Sequence, residues 1–279
     1  MTSSVSDRAS ASACVSEQSH SFYRRMMEAL LAAEAPFLVG GAYALARYTG
    51  IERFTKDFDI FIKRADLDRV EGVLAQAGCE IQRFAPHWLA KAISGDDFID
   101  LIWSSGNGVA VVDDVWFEKA APGEVLGVKA LLIPAEEMIW SKALIMERER
   151  YDGADVAHLI HEQAHRLDWQ RLLERFGPNW RVLLVHLTLF GFVYAQRRAS
   201  IPDWLMAELA RRQRVEQRQP PPRDAVCMGT LLSRNQYAVD VERWGYRDGR
   251  LPPTGNMSQR EIDIWEQRRR EDQGDCPTA

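Results

Sequence analysis

Cysteine is scarce. Cys14, Cys79, Cys227 and Cys276 lie too far apart in the 279 residues for zinc-ligand or Cys-x-x-Cys spacing. That density is also too low for a disulfide scaffold, so reduced thiols in a cytoplasmic protein are the expectation. A membrane-length apolar run is missing. The longest, Val182 to Ala195, carries His186 and Gly191. It falls short of the roughly 20 residues a bilayer demands and is read as a buried helix. Positive charge is not in excess either: 35 Lys and Arg against 40 Asp and Glu leave a net charge of −5. No global field attracts nucleic acid, and a polyanionic ligand has to be held locally, by a metal, a helix N-terminus or a few placed cations. No phosphate-binding GxxxxGK[ST] loop occurs. Gly106-Asn107-Gly108 lacks the third glycine and the following helix of a dinucleotide fingerprint. Residues 1–21, rich in Ser and Ala, have no basic start followed by an apolar block. They are expected to be a mobile leader rather than a secretory signal.

What remains is an ordinary globular composition, 46% hydrophobic and 27% charged. Apolar spacing predicts a helix over Phe22–Glu34, a short buried strand at Phe37-Leu38-Val39 closed by Gly40-Gly41, and a helix over Ala42–Tyr48. Asp57 to Ile62 alternates as a strand. Asp66 is placed to cap a helix that Gly78 ends. One or two strands are expected in Glu80–Ile93, another in Phe98–Trp103, and extended segments at Val109–Val112 and Val125–Ile133. From Pro134 the period turns helical, over Ala135–Arg150, Asp152–His165, Trp169–Phe176, Asn179–Arg198 and Pro202 to about Arg218. The expected organisation is an α/β domain over 22–134, a helical domain over 135–219 and a polar, largely irregular tail over 220–279, some of which could pack through Trp244, Tyr246 and Trp265. The fold class is α/β (α+β), a mixed sheet with flanking helices followed by helices.

Chemistry concentrates between Phe37 and Ile62. Alternation puts Asp57, Asp59 and Phe61 on one face of a strand and Phe58, Ile60 and Ile62 on the other. Two carboxylates a few ångströms apart repel by about 4 kcal/mol at an effective dielectric near 20, which calls for a cation. Mg²⁺ suits such hard oxygen donors. Asp100 is out of place for packing inside the apolar run Phe98–Trp103. If that strand neighbours the first, three carboxylates gather. They could then hold two divalent ions roughly 3.5–4 Å apart, the arrangement for in-line phosphoryl or nucleotidyl transfer. Asp96 and Asp97 compete for the third position. Gly40 and Gly41 let the backbone approach an anion, beside the N-terminus of the next helix.

Gly40-Gly41, Thr55-Lys56-Asp57-Phe58-Asp59-Ile60 and Asp100 together resemble the minimal nucleotidyltransferase of the DNA polymerase β superfamily. Pro134-Ala135-Glu136-Glu137 through Lys142, with Tyr151-Asp152-Gly153-Ala154-Asp155, is similar to the helical half of bacterial AbiEii-type nucleotidyltransferases. The resemblance covers about Phe22 to His165. It implies a nucleoside triphosphate (NTP) donor, two Mg²⁺ ions and transfer of a nucleoside monophosphate (NMP) to an acceptor hydroxyl. The acceptor could be a small molecule, a protein or a tRNA end. It further implies Asp57, Asp59 and Asp100 as metal ligands and Asp100 as an aid to deprotonating the acceptor. Gly40, Gly41, Thr55, Lys56 and Lys142 would contact nucleotide, with Lys142 facing phosphates and Asp155 on the next helix. A toxin with an antitoxin partner fits the resemblance. The competing readings are a catalytically inactive nucleotide- or partner-binding module and, less favoured, a hydrolase using the same carboxylates.

Overall fold

A computed structural model describes residues 17–53 and 55–272. Residues 1–16 of the expected leader lie outside the described residues, and residues 17–21 open the first helix. The chain runs α1 (Glu17–Ala32), β1 (Leu38–Val39), α2 (Gly41–Thr49), β2 (Phe58–Phe61), α3 (Leu67–Gln76), β3 (Glu80–Ala85), β4 (Leu89–Ser94), β5 (Asp97–Ile102), α4 (Asp114–Glu118), β6 (Ala121–Val125) and β7 (Val128–Leu132). Helices α5 (Ala135–Ala143), α6 (Gly153–Gln163), α7 (Trp169–Phe176), α8 (Trp180–Val193) and α9 (Asp203–Gln217) follow. After them come β8 (Val226–Cys227), α10 (Ala238–Glu242), β9 (Arg247–Asp248) and α11 (Gln259–Asp272). Among the described residues no helix is long and apolar enough to cross a membrane.

The seven-stranded sheet has the order β3-β4-β5-β2-β1-β7-β6. It is mixed: β2 runs parallel to β5 and β1 parallel to β7, while the other neighbours are antiparallel. Phe58, Ile60, Ile99 and Leu101 are buried on one face. There the Phe58 ring stacks on Tyr23 of α1 at 4.7 Å and meets Tyr43 of α2 edge-on at 5.0 Å. Burying aliphatic and aromatic side chains at about 1.5–3 kcal/mol each fixes which face of β2 points inward.

Several expected elements differ. Val109–Val112 forms no regular strand: it folds back as a loop on the residues after β5, with the Ser105 N–H on Ala110 O and the Val112 N–H on Trp103 O at 3.0 Å each, before the Asp113 carboxylate accepts the Val115 N–H at 3.0 Å and starts α4. Val125–Ile133 is broken by a two-residue hairpin turn, with Leu126 and Gly127 both at positive φ. The helix expected to Arg150 stops at Ala143. The next residues form a loop in which Met146 bridges Tyr151 and the Met146 N–H reaches Leu232 O at 3.0 Å. The helix expected to Arg198 ends at Val193 and continues as a 3-10 turn over Ala195–Ser200. Asp66 makes no capping bond; it pairs with Lys63 instead.

The largest difference is the segment after Pro220. It was expected to be polar and largely irregular, yet it packs. Thr230, Leu231, Ser233, Asp248, Arg250, Met257 and Ile262 are all buried. Arg250 joins Asp248 at 2.7 Å and Glu266 at 2.8 Å, so α11 is anchored through ion pairs that a hydropathy pattern does not register.

Candidate active site

The apolar face of β2 decides where its polar face looks. With Phe58 and Ile60 inward, Asp59 and Phe61 line a cleft of about 340 Å³ on the other side of the sheet. Asp57, Asp100, Gly41, Lys142, Arg150 and Asp152 line the same cleft. The parallel register sets Asp59 directly against Asp100, and partners in such a ladder project to the same face. The antiparallel register of β4 puts Lys91 next in the row, opposite Asp100. Lys91 Nζ donates to Asp100 Oδ1 at 2.7 Å and lies 3.9 Å from the centroid of the Phe98 ring.

The two glycines are required by packing at the strand. Gly41 sits at φ +56, and a Cβ there would overlap Asp59 Oδ2. A Cβ on Gly40 would overlap the Phe61 ring. The Gly40 N–H donates to Asp59 O at 2.9 Å, so the start of α2 is tied to the acidic strand. Gly41 therefore lies against the Asp59 carboxylate, while Gly40 is held away from the cleft under Phe61.

Charge on Asp59 is disfavoured. Burial, then the neighbouring Asp100 and Asp57 carboxylates, push its carboxyl up from 3.8 to about 7, against the opposing pull of Lys142 and Arg150. Burial likewise raises the Asp100 carboxyl, partly offset by Lys91. Among the described residues no three His, Cys, Asp or Glu side chains gather tightly enough to hold one ion. One oxygen of Asp100 is turned to Lys91 rather than to Asp59. The donor chemistry still fits a hard divalent cation, since a half-buried carboxylate flanked by two others has unmet demand for positive charge.

Lys142, at the last turn of α5, lies 2.8 Å from both Asp152 and Asp155. Arg53 pairs with Asp155, and Arg150 lies 3.2 Å from Asp152. Two carboxylates thus face three cations along the rim. Thr55 and Lys56 are not among the cleft-lining residues. The Thr55 hydroxyl instead closes a turn with the backbone of Asp57, and the Lys56 carbonyl accepts the Tyr23 hydroxyl at 3.0 Å. Glu136 and Glu137 are buried structural acids. Glu137 is held by Arg171 at 2.6 Å and Arg175 at 2.9 Å, and Glu136 by Arg171 at 2.5 Å, which ties α5 to α7.

Sequence reasoning missed Lys91, Arg150 and Asp152 and the wall supplied by residues 230–234 and 265. Lys91 had a signal, as the one charge within Leu89–Ile93. The wall had none, because its residues are recruited by tertiary packing.

Solved structures with a similar fold include an antigenic nucleotidyltransferase-like protein from Paracoccidioides brasiliensis, at 14% identity and a TM-score of 0.44, covering 67% of this chain and 93% of that one. The antibiotic-resistance factor ANT(2″)-Ia is similar at 15% identity and a TM-score of 0.37, covering 72% and 95%. The lincosamide antibiotic adenylyltransferase LnuA is similar at 16% identity and 0.37, covering 52% and 97%. No curated protein matches the sequence. The family described as uncharacterised nucleotidyltransferase matches residues 10–187, a span that holds Gly41, all three aspartates and Lys142, and the chain belongs to that family and is a nucleotidyltransferase enzyme.

Proposed function

We propose that the protein moves an NMP from an NTP to an acceptor hydroxyl with magnesium as cofactor, and that Asp57, Asp59 and Asp100 hold the metal. The observation that carries this reading is the in-register pair Asp59 and Asp100 beside Gly41, with Asp59 half-buried among like charges. Magnesium bound there would neutralise the carboxylates and polarise the phosphate oxygens. The chain's own residues then have separate roles. Asp59, fixed against Gly41, sets the position of the site. Asp100, with one oxygen anchored to Lys91, keeps the other for the metal or for the acceptor's proton. Lys142 and Arg150, on the helical side, give the rim the positive charge a triphosphate requires. Gly40, Thr55 and Lys56 lie off the cleft lining, so the reading gives them a supporting role in shaping the loop before Asp57.

The test is pyrophosphate release from each of the four labelled NTPs with Mg²⁺, alongside mass detection of NMP adducts on candidate acceptors. Wild type is expected to release pyrophosphate, and Asp59→Ala to lose at least about a thousandfold. Equal background in both proteins overturns the reading and leaves a binding module.

A further inference from the structure

The cleft has walls of two origins. Gly41, the three aspartates, Lys142 and Arg150 fall within residues 10–187, the span matched by the family. Thr230 to Arg234, Arg250 and Trp265 fall outside that span and line the same cleft. A donor shared across a family is held by what the members share, whereas an acceptor is read by what they do not. Resting on the reading above, we propose that this C-terminal wall selects the acceptor. We further propose that the acceptor is a compact, uncharged hydroxyl compound with a planar apolar body seated against Trp265.

The wall is built into the fold. Arg250, only 4% exposed, pairs with Asp248 and Glu266 and so fixes the residue next to Trp265. The Met257 side chain fills the space where Gly108 lacks a Cβ. Asn256 Nδ2 donates to Gly108 O at 3.1 Å, and Asn107 Nδ2 donates to Leu231 O at 2.6 Å. The segment is thereby latched to the loop that follows β5.

Its chemistry sets one aromatic ring, Trp265, and two leucines beside the hydroxyls of Thr230 and Ser233, while the charge of Arg250 is spent on Asp248 and Glu266. Trp88 and Trp265 meet edge to face at 5.5 Å, and a Cβ on Gly106 would touch both rings at 3.5 Å. The same cleft also carries apolar side chains from the sheet and α5, Phe61, Ile102, Ile133 and Met138. Two buried polar atoms of this end, Ser104 Oγ and Trp88 Nε1, have no hydrogen-bond partner among the described residues. Such a group costs about 1–3 kcal/mol until something pairs with it, which argues for a ligand polar group there. A polycation is disfavoured. Arg234 lies 4.0 Å from the centroid of the Trp265 ring, and both oxygens of Glu147 are engaged, one by the Ser233 hydroxyl and one by the Arg234 N–H. A cleft of about 340 Å³ is the size that seats a drug-sized molecule.

The probes are methylumbelliferyl glucoside, which is neutral and planar with free hydroxyls, and a fluorescent methylanthraniloyl ATP with Mg²⁺, each titrated into the full chain. Wild type is expected to bind both saturably. Trp265→Ala should weaken the glucoside by roughly tenfold or more and the nucleotide by less than about twofold. Ser104→Ala removes an unpaired buried hydroxyl, keeps the protein folded, and should weaken the glucoside severalfold. No saturable glucoside binding to wild type overturns the proposal. So does equal weakening of both probes in Trp265→Ala, or an unchanged glucoside affinity in both variants. Failure of wild type to bind the nucleotide with Mg²⁺ strikes the nucleotidyltransfer reading itself, and is read separately.

Discussion

Asp59 and Asp100 stand directly opposite one another on two parallel strands, and Lys91 stands opposite Asp100 on the next strand out. The row acid, acid, base crosses the sheet on one face, beside the glycine turn into α2. A single-residue slip of β5 would carry Asp100 into the apolar layer and bring Ile99 or Leu101 out, so the hydrophobic face of the sheet fixes the register of the carboxylates. The fold and the site thus depend on the same alternation.

Stability without metal should fall with pH because of Asp59. Its carboxyl is pushed up from 3.8 to about 7 by burial and by Asp100 and Asp57. The folded state therefore keeps the proton that the unfolded chain has lost. The stabilisation is complete below the unfolded value and disappears as pH rises from about 4 through about 7. At about 1.4 kcal/mol per pH unit the effect amounts to a few kcal/mol. Asp59→Asn should match wild type near pH 4 and exceed it at pH 8 in chelator, as read by denaturant titration. Mg²⁺ should close that gap in wild type and leave Asp59→Asn unmoved. A gap that does not vary with pH contradicts the assigned cause.

Two glycines at positive φ separate a backbone effect from a site effect. Gly50, at φ +70, ends α2 with open space around it. Gly50→Ala should cost about 1 kcal/mol and leave kcat unchanged. Gly41, at φ +56, faces Asp59 Oδ2. Gly41→Ala carries the same backbone cost and also displaces the carboxylate, so activity should drop by roughly a hundredfold or more. Thermal melts and NTP turnover on both variants check the contrast.

Much of the acidic strand was legible because a period of two is a local property: Asp57, Asp59 and Phe61 against Phe58, Ile60 and Ile62 needs no tertiary knowledge. Asp100 was found because one charge in an apolar strand violates packing economy. The glycines were recognised, but the reason differs, since Asp59 and Phe61 occupy the space their side chains would need. Thr55 and Lys56 adjoin the acidic pair in sequence, yet neither lines the cleft: the Thr55 hydroxyl is spent on the backbone of Asp57, and the Lys56 carbonyl accepts the Tyr23 hydroxyl. The segment after Pro220 reads as polar because its anchors are Arg250, Asp248 and Glu266 and its apolar contacts are single residues such as Met257 and Trp265. Ion pairs and isolated wedges leave no periodicity to detect.

Lys91 should act on Asp100 through charge and position. Its ammonium lies 2.7 Å from Asp100 Oδ1 and opposes the upward push that burial gives the carboxyl. Lys91→Met removes that opposition. The acidic limb of kcat/KM should then move to higher pH, with a rate loss that is largest on the acidic side and recovers as pH rises. Lys91→Arg should restore most of the profile. A Lys91→Met enzyme slowed equally at every pH indicates displacement of Asp100 alone.

Lys142 and Arg150 distinguish a buried clamp from an exposed contact on the same rim. Lys142 is only 16% exposed and balances two carboxylates, Asp152 and Asp155, at 2.8 Å each. Removing it leaves Asp152 and Asp155 with only the more exposed Arg150 and Arg53 as partners, so Lys142→Met should destabilise by roughly 1–3 kcal/mol and also raise KM for NTP. Arg150, 66% exposed and 3.2 Å from Asp152, makes a solvent-screened contact. Arg150→Ala should change stability by under about 1 kcal/mol and still raise KM for NTP about tenfold, more so at low salt. The double variant should show KM effects that add less than fully, since the proposed function has both cations meet one phosphate chain within the same patch. If Arg150→Ala leaves KM unchanged at every salt concentration, the rim's positive charge serves the Asp152 and Asp155 pair alone, and the triphosphate must be held from the glycine side of the cleft.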